Sequence, residues 1–528
     1  MSHDQRLAPR SDATPDSPQQ VDATGSRVLD GAHLSPWRWA LGMTLGVTLV
    51  RLFVLRWSPL QLYPDEAQYW VWSRSLDFGY LSKPPMIAWI IWLTTHAFGD
   101  AEPFVRVSSP LLHAAAGLFV YGAGRKLYDA WTGLLSLALY QLTVAVQLGA
   151  FVVSTDTALC AFLAAALWLY AELQTAEGRA RSLVAGGFGL SLGLAFLAKY
   201  AALYAVIGVA LHLAVSREAR RVWTWPAATL AVLGFAVTGG LNLAWNAAHG
   251  FATLSYTSQQ AAWDTRRHFD LLQLGGFIGA QFGVFGPAPF AILVGGGAAL
   301  AWRRRLSMSD GLLLAWTLPP LLIVAGEAFI SRANANWAVG AYVPGSVLVA
   351  AWLRRWRAVG WTAAILAGQA AIALALVIGL AAPSIADRTG ASNVLKRLRG
   401  WREATDLIVQ RAELESLAGP LSSVAVDGRD LFNEAAYYGR GYFGRAGAPP
   451  LRIWRLAPAP GNEAELAAPL TVATGRRVLA ASLGDGGHSA MMKSFARSGD
   501  LEINTIGLDL RHSRRIDTFV AEGYAPPR

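Results

Sequence analysis

Cysteine is nearly missing: Cys160 is the single one in 528 residues. That excludes an internal disulfide and any zinc site built on cysteine pairs. Charge is scarce as well, at 15% of residues, where soluble domains carry about a quarter. Motifs with a fixed mechanism are also missing. There is no GxxxxGK[ST] phosphate loop, which argues against ATP-driven transport, no GxGxxG after a strand, no HExxH and no Cys/His metal cluster. A DxD element of the kind that holds a divalent metal beside a nucleotide sugar is absent too; DGRD at 427–430 has the wrong spacing.

The missing charge is replaced by apolar runs, and 54% of the chain is hydrophobic. Several runs exceed the ~18 residues that mark a membrane span. The pattern predicts a mainly α, polytopic membrane protein with about eleven transmembrane helices. They fall near 37–57, 105–124, 131–150, 157–173, 183–198, 201–215, 226–246, 271–301, 311–329, 338–353 and 359–382. The region 183–215 is read as two short spans turning at Lys199. The net charge is +10, which in a soluble protein would point to nucleic acid. Here the basic clusters sit in short loops: Arg125-Lys126, Arg179 with Arg181, Arg217 with Arg220-Arg221, Arg303 to Arg305, and Arg354, Arg355 and Arg357. They follow every second span, so all fall on one side, which the positive-inside rule makes cytoplasmic.

Three regions follow. Residues 1–36 read as a disordered cytoplasmic tail, residues 37–384 as the transmembrane domain, and residues 385–528 as a small soluble α/β domain on the outer, periplasmic face. The last has a helical pattern through Leu395, Leu398, Trp401, Ile408 and Ala412, then β-rich stretches at 422–427, 476–482 and 503–510. Residues 84–99 have the length of a helix lying in the interface.

Chemistry-bearing residues collect in the outer segments. The first loop, YPDEAQYWVWSRSLDFGYLSKPP, carries Tyr63, Asp65, Glu66, Tyr69, Arg74 and Lys83. Further along come Asp156, Lys199-Tyr200, Trp245-Asn246, His249, Arg266-Arg267, Glu327, Asn336 and Trp337. An ionisable group inside a span costs roughly 2.5–3.5 kcal/mol, so it needs a partner or a wet cavity. Asp156, Lys199 and Glu327 occupy one outer level, which predicts a single polar cavity just beneath the outer surface. In such a cavity a cation binds a lipid-linked phosphate and a carboxylate takes a proton from an attacking hydroxyl. Lys83 and Arg74 suit the first task and Asp65 the second. Blander readings exist: Asp156 as a helix N-cap, Lys83 snorkelling to the interface, Arg266 and Arg267 as solvated loop charges.

YPDEAQYW…KPP, Thr155-Asp156, LAKY at 197–200, WNAAHGF at 245–251 and NANW at 334–337 occur in order along residues 40–350. Together they resemble the GT-C glycosyltransferases of the family 39/83 type, which includes lipid A aminoarabinose transferases, rhizobial galacturonosyltransferases and, more remotely, protein O-mannosyltransferases. The resemblance implies inverting transfer of a sugar from a polyprenyl-phosphate donor to an envelope acceptor, lipid A or lipopolysaccharide core, at the periplasmic face of the bacterial inner membrane. It makes Asp65 the base, Glu66 a second candidate, and Asp156 the second carboxylate. Lys83 is expected at the donor phosphate and Lys199 matches the LAKY position; by charge alone, Arg74, Lys199, Arg266 and Arg267 are further candidate phosphate ligands. Tyr63, Tyr69, Tyr200, Trp245, Asn246, His249, Asn336 and Trp337 are expected to line the cavity. No obligatory cofactor is expected, with divalent metal left open, and no nucleic acid. A protein acceptor is the alternative within the class; a flippase or secondary transporter is the alternative outside it.

Overall fold

A computed structural model describes residues 35–253, 255–256, 269–390, 392–484 and 486–526. The expected tail up to residue 34, and Arg266 and Arg267, lie outside the described residues.

Among those residues, eight helices are long and apolar enough to cross a membrane: Pro36–Trp57, Glu102–Leu127, Thr155–Leu173, Gly178–Ala198, Trp225–Ala248, Met308–Ile330, Ala335–Arg355 and Val359–Ala381. The protein is therefore a multi-pass membrane protein. The other three expected spans are short or interrupted, so the structure does not give eleven full-length spans. The run 131–150 breaks at Thr143 into Ala130–Leu142 and Val144–Gly149. The run 201–215 is a short helix, Tyr200–Val215. The run 271–301 breaks at Gly286, whose φ of +110° favours glycine. Gln369 donates to the Phe285 carbonyl there at 2.9 Å, and a Cβ at Gly286 would overlap its amide. A broken helix in a bilayer needs such a partner for its freed backbone groups.

Thr155–Leu173 and Ala335–Arg355 are enclosed by their neighbours, whereas Trp225–Ala248 and Val359–Ala381 are mostly uncovered apolar rods at the rim. Gly178–Ala198 packs closely on Trp225–Ala248 because Gly189 and Gly193 leave no room for side chains between the backbones. The chain breaks at Lys199, which is extended, as the sequence pattern predicts. The helix after the break, Leu203–Val215, packs mainly on Met308–Ile330. Several polar side chains within the bundle find partners in one another. Arg51 binds the Gln141 side chain at 2.7 Å, His113 meets Tyr140 at 3.0 Å and His212 meets Tyr170 at 2.9 Å.

After Ala381 the chain leaves the bundle through the short helix Pro383–Thr389 and the longer helix Trp401–Ala418. A six-stranded sheet follows: β1 (Ser423–Val426), β2 (Leu451–Ile453), β3 (Arg477–Leu483), β4 (Phe495–Ser498), β5 (Glu502–Gly507) and β6 (Ser513–Tyr524). The order is β2-β1-β3-β6, with β1 parallel to both neighbours and β3 antiparallel to β6. The free edge of the long strand β6 is shared, β5 pairing along its first half and β4 along its second. Both faces of β1 are buried. Trp401, Ile408, Leu431 and Phe432 cover one side, while Trp454, Leu470 and Met491 cover the other. The helix Arg429–Tyr438 rests on the first-loop helix Pro64–Trp72, which ties this sheet unit to the bundle.

Candidate active site

The site begins with two adjacent acids in the first turn of Pro64–Trp72. Pro64 at the first helical position fixes the start of that helix. Neighbouring residues on a helix point about 100° apart, so Asp65 and Glu66 part company. Glu66 turns inward and is fully buried. It binds the Arg106 guanidinium, at 2.6 Å to one terminal nitrogen, and accepts the backbone N–H groups of Tyr63 and Val153, both at 2.8 Å. Arg106 also donates to the Leu60 and Gln61 carbonyls. The pair joins the first outer loop to the segment just before Asp156. Glu66 is a scaffold residue in this arrangement: all its acceptor capacity is spent on the protein, and no solvent reaches it. That departs from the catalytic candidacy given to it above.

Asp65 turns outward and meets Arg429 of the C-terminal unit at 3.1 Å. Arg429 also holds Gln68 at 3.1 Å. Asp156 lies in the first turn of Thr155–Leu173, whose N-cap residue is Ser154 rather than Asp156. One oxygen takes Lys199 Nζ at 2.6 Å and the other takes the Asn336 amide at 2.7 Å. Both charged side chains are largely enclosed. The extended backbone at Lys199 places its side chain here.

Lys83 completes the group. Its ammonium has no hydrogen-bond or ion-pair partner among the described residues, yet it feels Lys199, Asp156, Asp65 and Arg429. Burial, with Lys199 next, pushes its pKa below the ordinary lysine value. Tyr69 is buried between the same acids, and burial, with Asp65 and Asp156 next, pushes its phenol well above the ordinary tyrosine value. Lys83, Tyr69, Asp65, Asp156, Lys199 and Arg429 thus share one electrostatic neighbourhood.

Around it, the Asn246 amide donates to the Tyr200 hydroxyl at 3.0 Å, and that hydroxyl donates to Asn242 at 2.8 Å. Asn242 donates to the Phe78 carbonyl at 2.7 Å, fixing the far end of the first loop. Trp245 stacks on His249, with ring centroids 4.1 Å apart, and lies against Gly79. Tyr63 lies under the Arg397 guanidinium at 4.5 Å. Leu81 donates to Glu463 at 2.7 Å, a second tie from the C-terminal unit to the loop carrying Lys83.

Three expected residues are placed elsewhere. Arg74 is engaged by Asp100 at 3.2 Å, by Ser73 and Thr95, and lies over Trp70 at 4.9 Å. That anchors the loop rather than offering a free cation. Trp337 packs with Tyr204, Phe277 and Val324. Glu327 lies beside Tyr204. Two residues were missed. Arg106, at the start of an apolar run, carried the signal of a charge needing a buried partner. Arg429 sits inside DGRD, whose spacing speaks only to a metal motif and carries no signal for a guanidinium partner. Among the described residues no group of three or more His, Cys, Asp or Glu is placed to hold a metal ion.

A membrane helix bundle carrying paired acids and cations, with a small α/β unit resting on its first loop, is similar to the GT-C glycosyltransferases. The family described as dolichyl-phosphate-mannose-protein mannosyltransferase matches residues 82–245. The lipid A galacturonosyltransferase RgtD of Rhizobium johnstonii is 37% identical over 326 residues, 61% of this chain and 66% of the relative. The undecaprenyl phosphate-alpha-4-amino-4-deoxy-L-arabinose arabinosyl transferase 2 of Sodalis glossinidius is 27% identical over 53% of this chain and 54% of its own length. The chain therefore spans between about half and two thirds of these curated relatives. The structure of ArnT from Cupriavidus metallidurans in the apo state matches with a TM-score of 0.65 at 14% identity, over 94% of this chain and all of that one. The same ArnT bound to undecaprenyl phosphate gives 0.63 at 15% identity, over 92% and 99%.

Proposed function

We propose that this protein is an inverting glycosyltransferase that moves a sugar from a polyprenyl-phosphate donor to a lipid acceptor of the envelope, lipid A or lipopolysaccharide core, at the periplasmic face. The observation that carries this reading is the convergence of Lys83, whose ammonium has no partner among the described residues, with the two carboxylates Asp65 and Asp156. The names of the relatives support it: one acts on lipid A, the other uses an undecaprenyl-phosphate sugar. The matched ArnT was solved with undecaprenyl phosphate bound. The five basic loop clusters support a cytoplasmic placement for the opposite side.

The chemistry balances without any further reactant. The acceptor hydroxyl gives its proton to Asp65 as its oxygen attacks the anomeric carbon. The new C–O bond forms as the bond from that carbon to the phosphate oxygen breaks. The electron pair leaves on the polyprenyl phosphate, whose added charge Lys83 meets with a charge-assisted hydrogen bond. Attack opposite the leaving group inverts the anomeric centre. Arg429 steers the Asp65 carboxylate. Asp156, clamped by Lys199 and Asn336, presents a fixed acceptor for sugar or acceptor hydroxyls. Glu66 and Arg106 hold the two acid-bearing segments together.

The test uses purified protein in proteoliposomes with labelled polyprenyl-phosphate sugar and lipid A. Wild type should yield a glycolipid heavier by one sugar, and Asp65→Asn should lower turnover by roughly 10²–10⁴-fold. Label reaching a protein fraction instead would transfer the acceptor to the protein class. Sugar carried across the bilayer with no new glycosidic bond would replace the transferase by a transporter.

A further inference from the structure

The C-terminal unit holds a hollow of about 490 Å³ that the proposed transfer does not use. Five of its lining side chains are basic, Lys396, Arg397, Arg511, His512 and Arg514; the rest are one leucine and one serine. The nearby acids are already committed. Asp430 pairs with Arg397 at 3.5 Å and Asp509 with His512 at 2.9 Å. Glu434 and Glu403 also act on Arg514. Lys396 and Arg511 are exposed and have no ion-pair partner among the described residues. Arg514 lies flat on Trp401, 3.3 Å from the ring centroid, and donates to the Arg399 carbonyl at 3.0 Å. Its Nε is buried with no acceptor among the described residues. Such a concentration of cations in one concave place repels itself unless an anion enters.

The location narrows the anion. Leu395 and Leu398, on the same turn as Lys396 and Arg397, pack against Val54, Leu55 and Leu380. Those three lie at the ends of the spans Pro36–Trp57 and Val359–Ala381. The hollow therefore lies near the ends of two spans, at the level where the bilayer surface would be. We propose that it binds a phosphate group carried by a lipid headgroup, with Lys396 and Arg511 as the free cations and Arg514 as a positioned donor. Arginine forks and a lysine together suit phosphate oxygens. This site is distinct from the Lys83 neighbourhood and does not depend on the transfer reaction, although Arg397 links the two through its contact with Tyr63.

The experiment uses the full chain in phosphatidylcholine nanodiscs. Binding of dioctanoylphosphatidylglycerol and of inorganic phosphate is measured by titration calorimetry for wild type, for the double variant Lys396→Gln/Arg511→Gln, and for Arg445→Gln, an exposed control arginine on the same unit. The expected result is lipid binding weakened at least tenfold in the double variant and unchanged in the control, with inorganic phosphate binding weakly throughout. Lys396→Gln alone, followed against ionic strength, gives the same answer if the double variant folds poorly: it should weaken binding and flatten the salt dependence. Equal lipid binding by wild type and variants would overturn the site. Inorganic phosphate binding as tightly as the lipid would overturn the headgroup assignment in favour of a soluble anion.

Discussion

Asp65 and Arg429 stand 364 positions apart in the chain and meet at 3.1 Å. The acid belongs to the first loop and the guanidinium to the C-terminal unit, so the proposed base is held by a separate layer of the fold. Both side chains are more than a third exposed, and exposed ion pairs contribute only about 0–1 kcal/mol. Arg429→Gln should therefore leave the melting temperature of the purified protein within a degree or two of wild type. Turnover should fall about tenfold or more, because Asp65 loses its aim. A variant with full turnover would detach Arg429 from the site.

The buried pair beside it behaves in the opposite way. Glu66 and Arg106 are enclosed, and each satisfies backbone groups of the segments it joins. Removing one partner strands the other charge, which costs roughly 3–5 kcal/mol. Arg106→Leu should thus lower thermal stability sharply and reduce the yield of monodisperse protein in detergent. Asp65→Asn, on the neighbouring residue, should melt as wild type does. Thermal unfolding of both variants side by side separates the scaffold acid from the proposed base.

Lys83 carries a pH prediction. Burial and then Lys199 lower its pKa. A lysine with a lowered pKa is a cation below that value and neutral above it. Donor binding that needs the cation is therefore intact at neutral pH and is lost as pH rises, with a midpoint below the ordinary 10.5. kcat/KM for the donor, followed from pH 7 to 10, should show that alkaline limb. Lys83→Arg should move the limb to higher pH, since guanidinium stays protonated throughout. A limb unmoved by Lys83→Arg would assign it to another group.

The bundle was legible because membrane spans write themselves as long apolar runs with basic flanks. The break at Lys199 followed from the same charge logic. The runs 131–150 and 271–301 were read as continuous because nothing local marks Thr143 as a break, and the support for the break at Gly286 comes from Gln369, far away in sequence. At the site, Asp65, Asp156, Lys83, Lys199 and Asn336 were identified from motif positions, and the structure brings them together. Glu66 looked equivalent to Asp65 because the sequence does not show which of two adjacent acids a helix turns inward. Arg429 was hidden because its partner lies in another layer. Strands β2, β4 and β6 escaped notice as well; β6 carries Arg514, Arg515 and Asp517, which blunt its apolar signal.

Glu434 supplies the last prediction. It sits on Arg429–Tyr438, the helix that rests on the first loop, and both its carboxylate oxygens are buried without a hydrogen-bond partner among the described residues. Burial, with Glu66 next, pushes its pKa well above the ordinary value, which favours the protonated acid. A carboxyl with a raised folded-state pKa contributes stability that is fully present below its unfolded pKa and is lost as pH rises through the folded one. The docking of the C-terminal unit should accordingly weaken on the alkaline side. Glu434→Gln keeps the shape and removes the proton that can be lost. It should melt close to wild type at pH 5 and above wild type at pH 8 and beyond, with hydrogen exchange in 429–438 slowed at the higher pH. If the wild-type melting temperature fails to fall relative to the variant across that range, Glu434 is not held neutral at this interface, and another group seats the helix on the Asp65 loop.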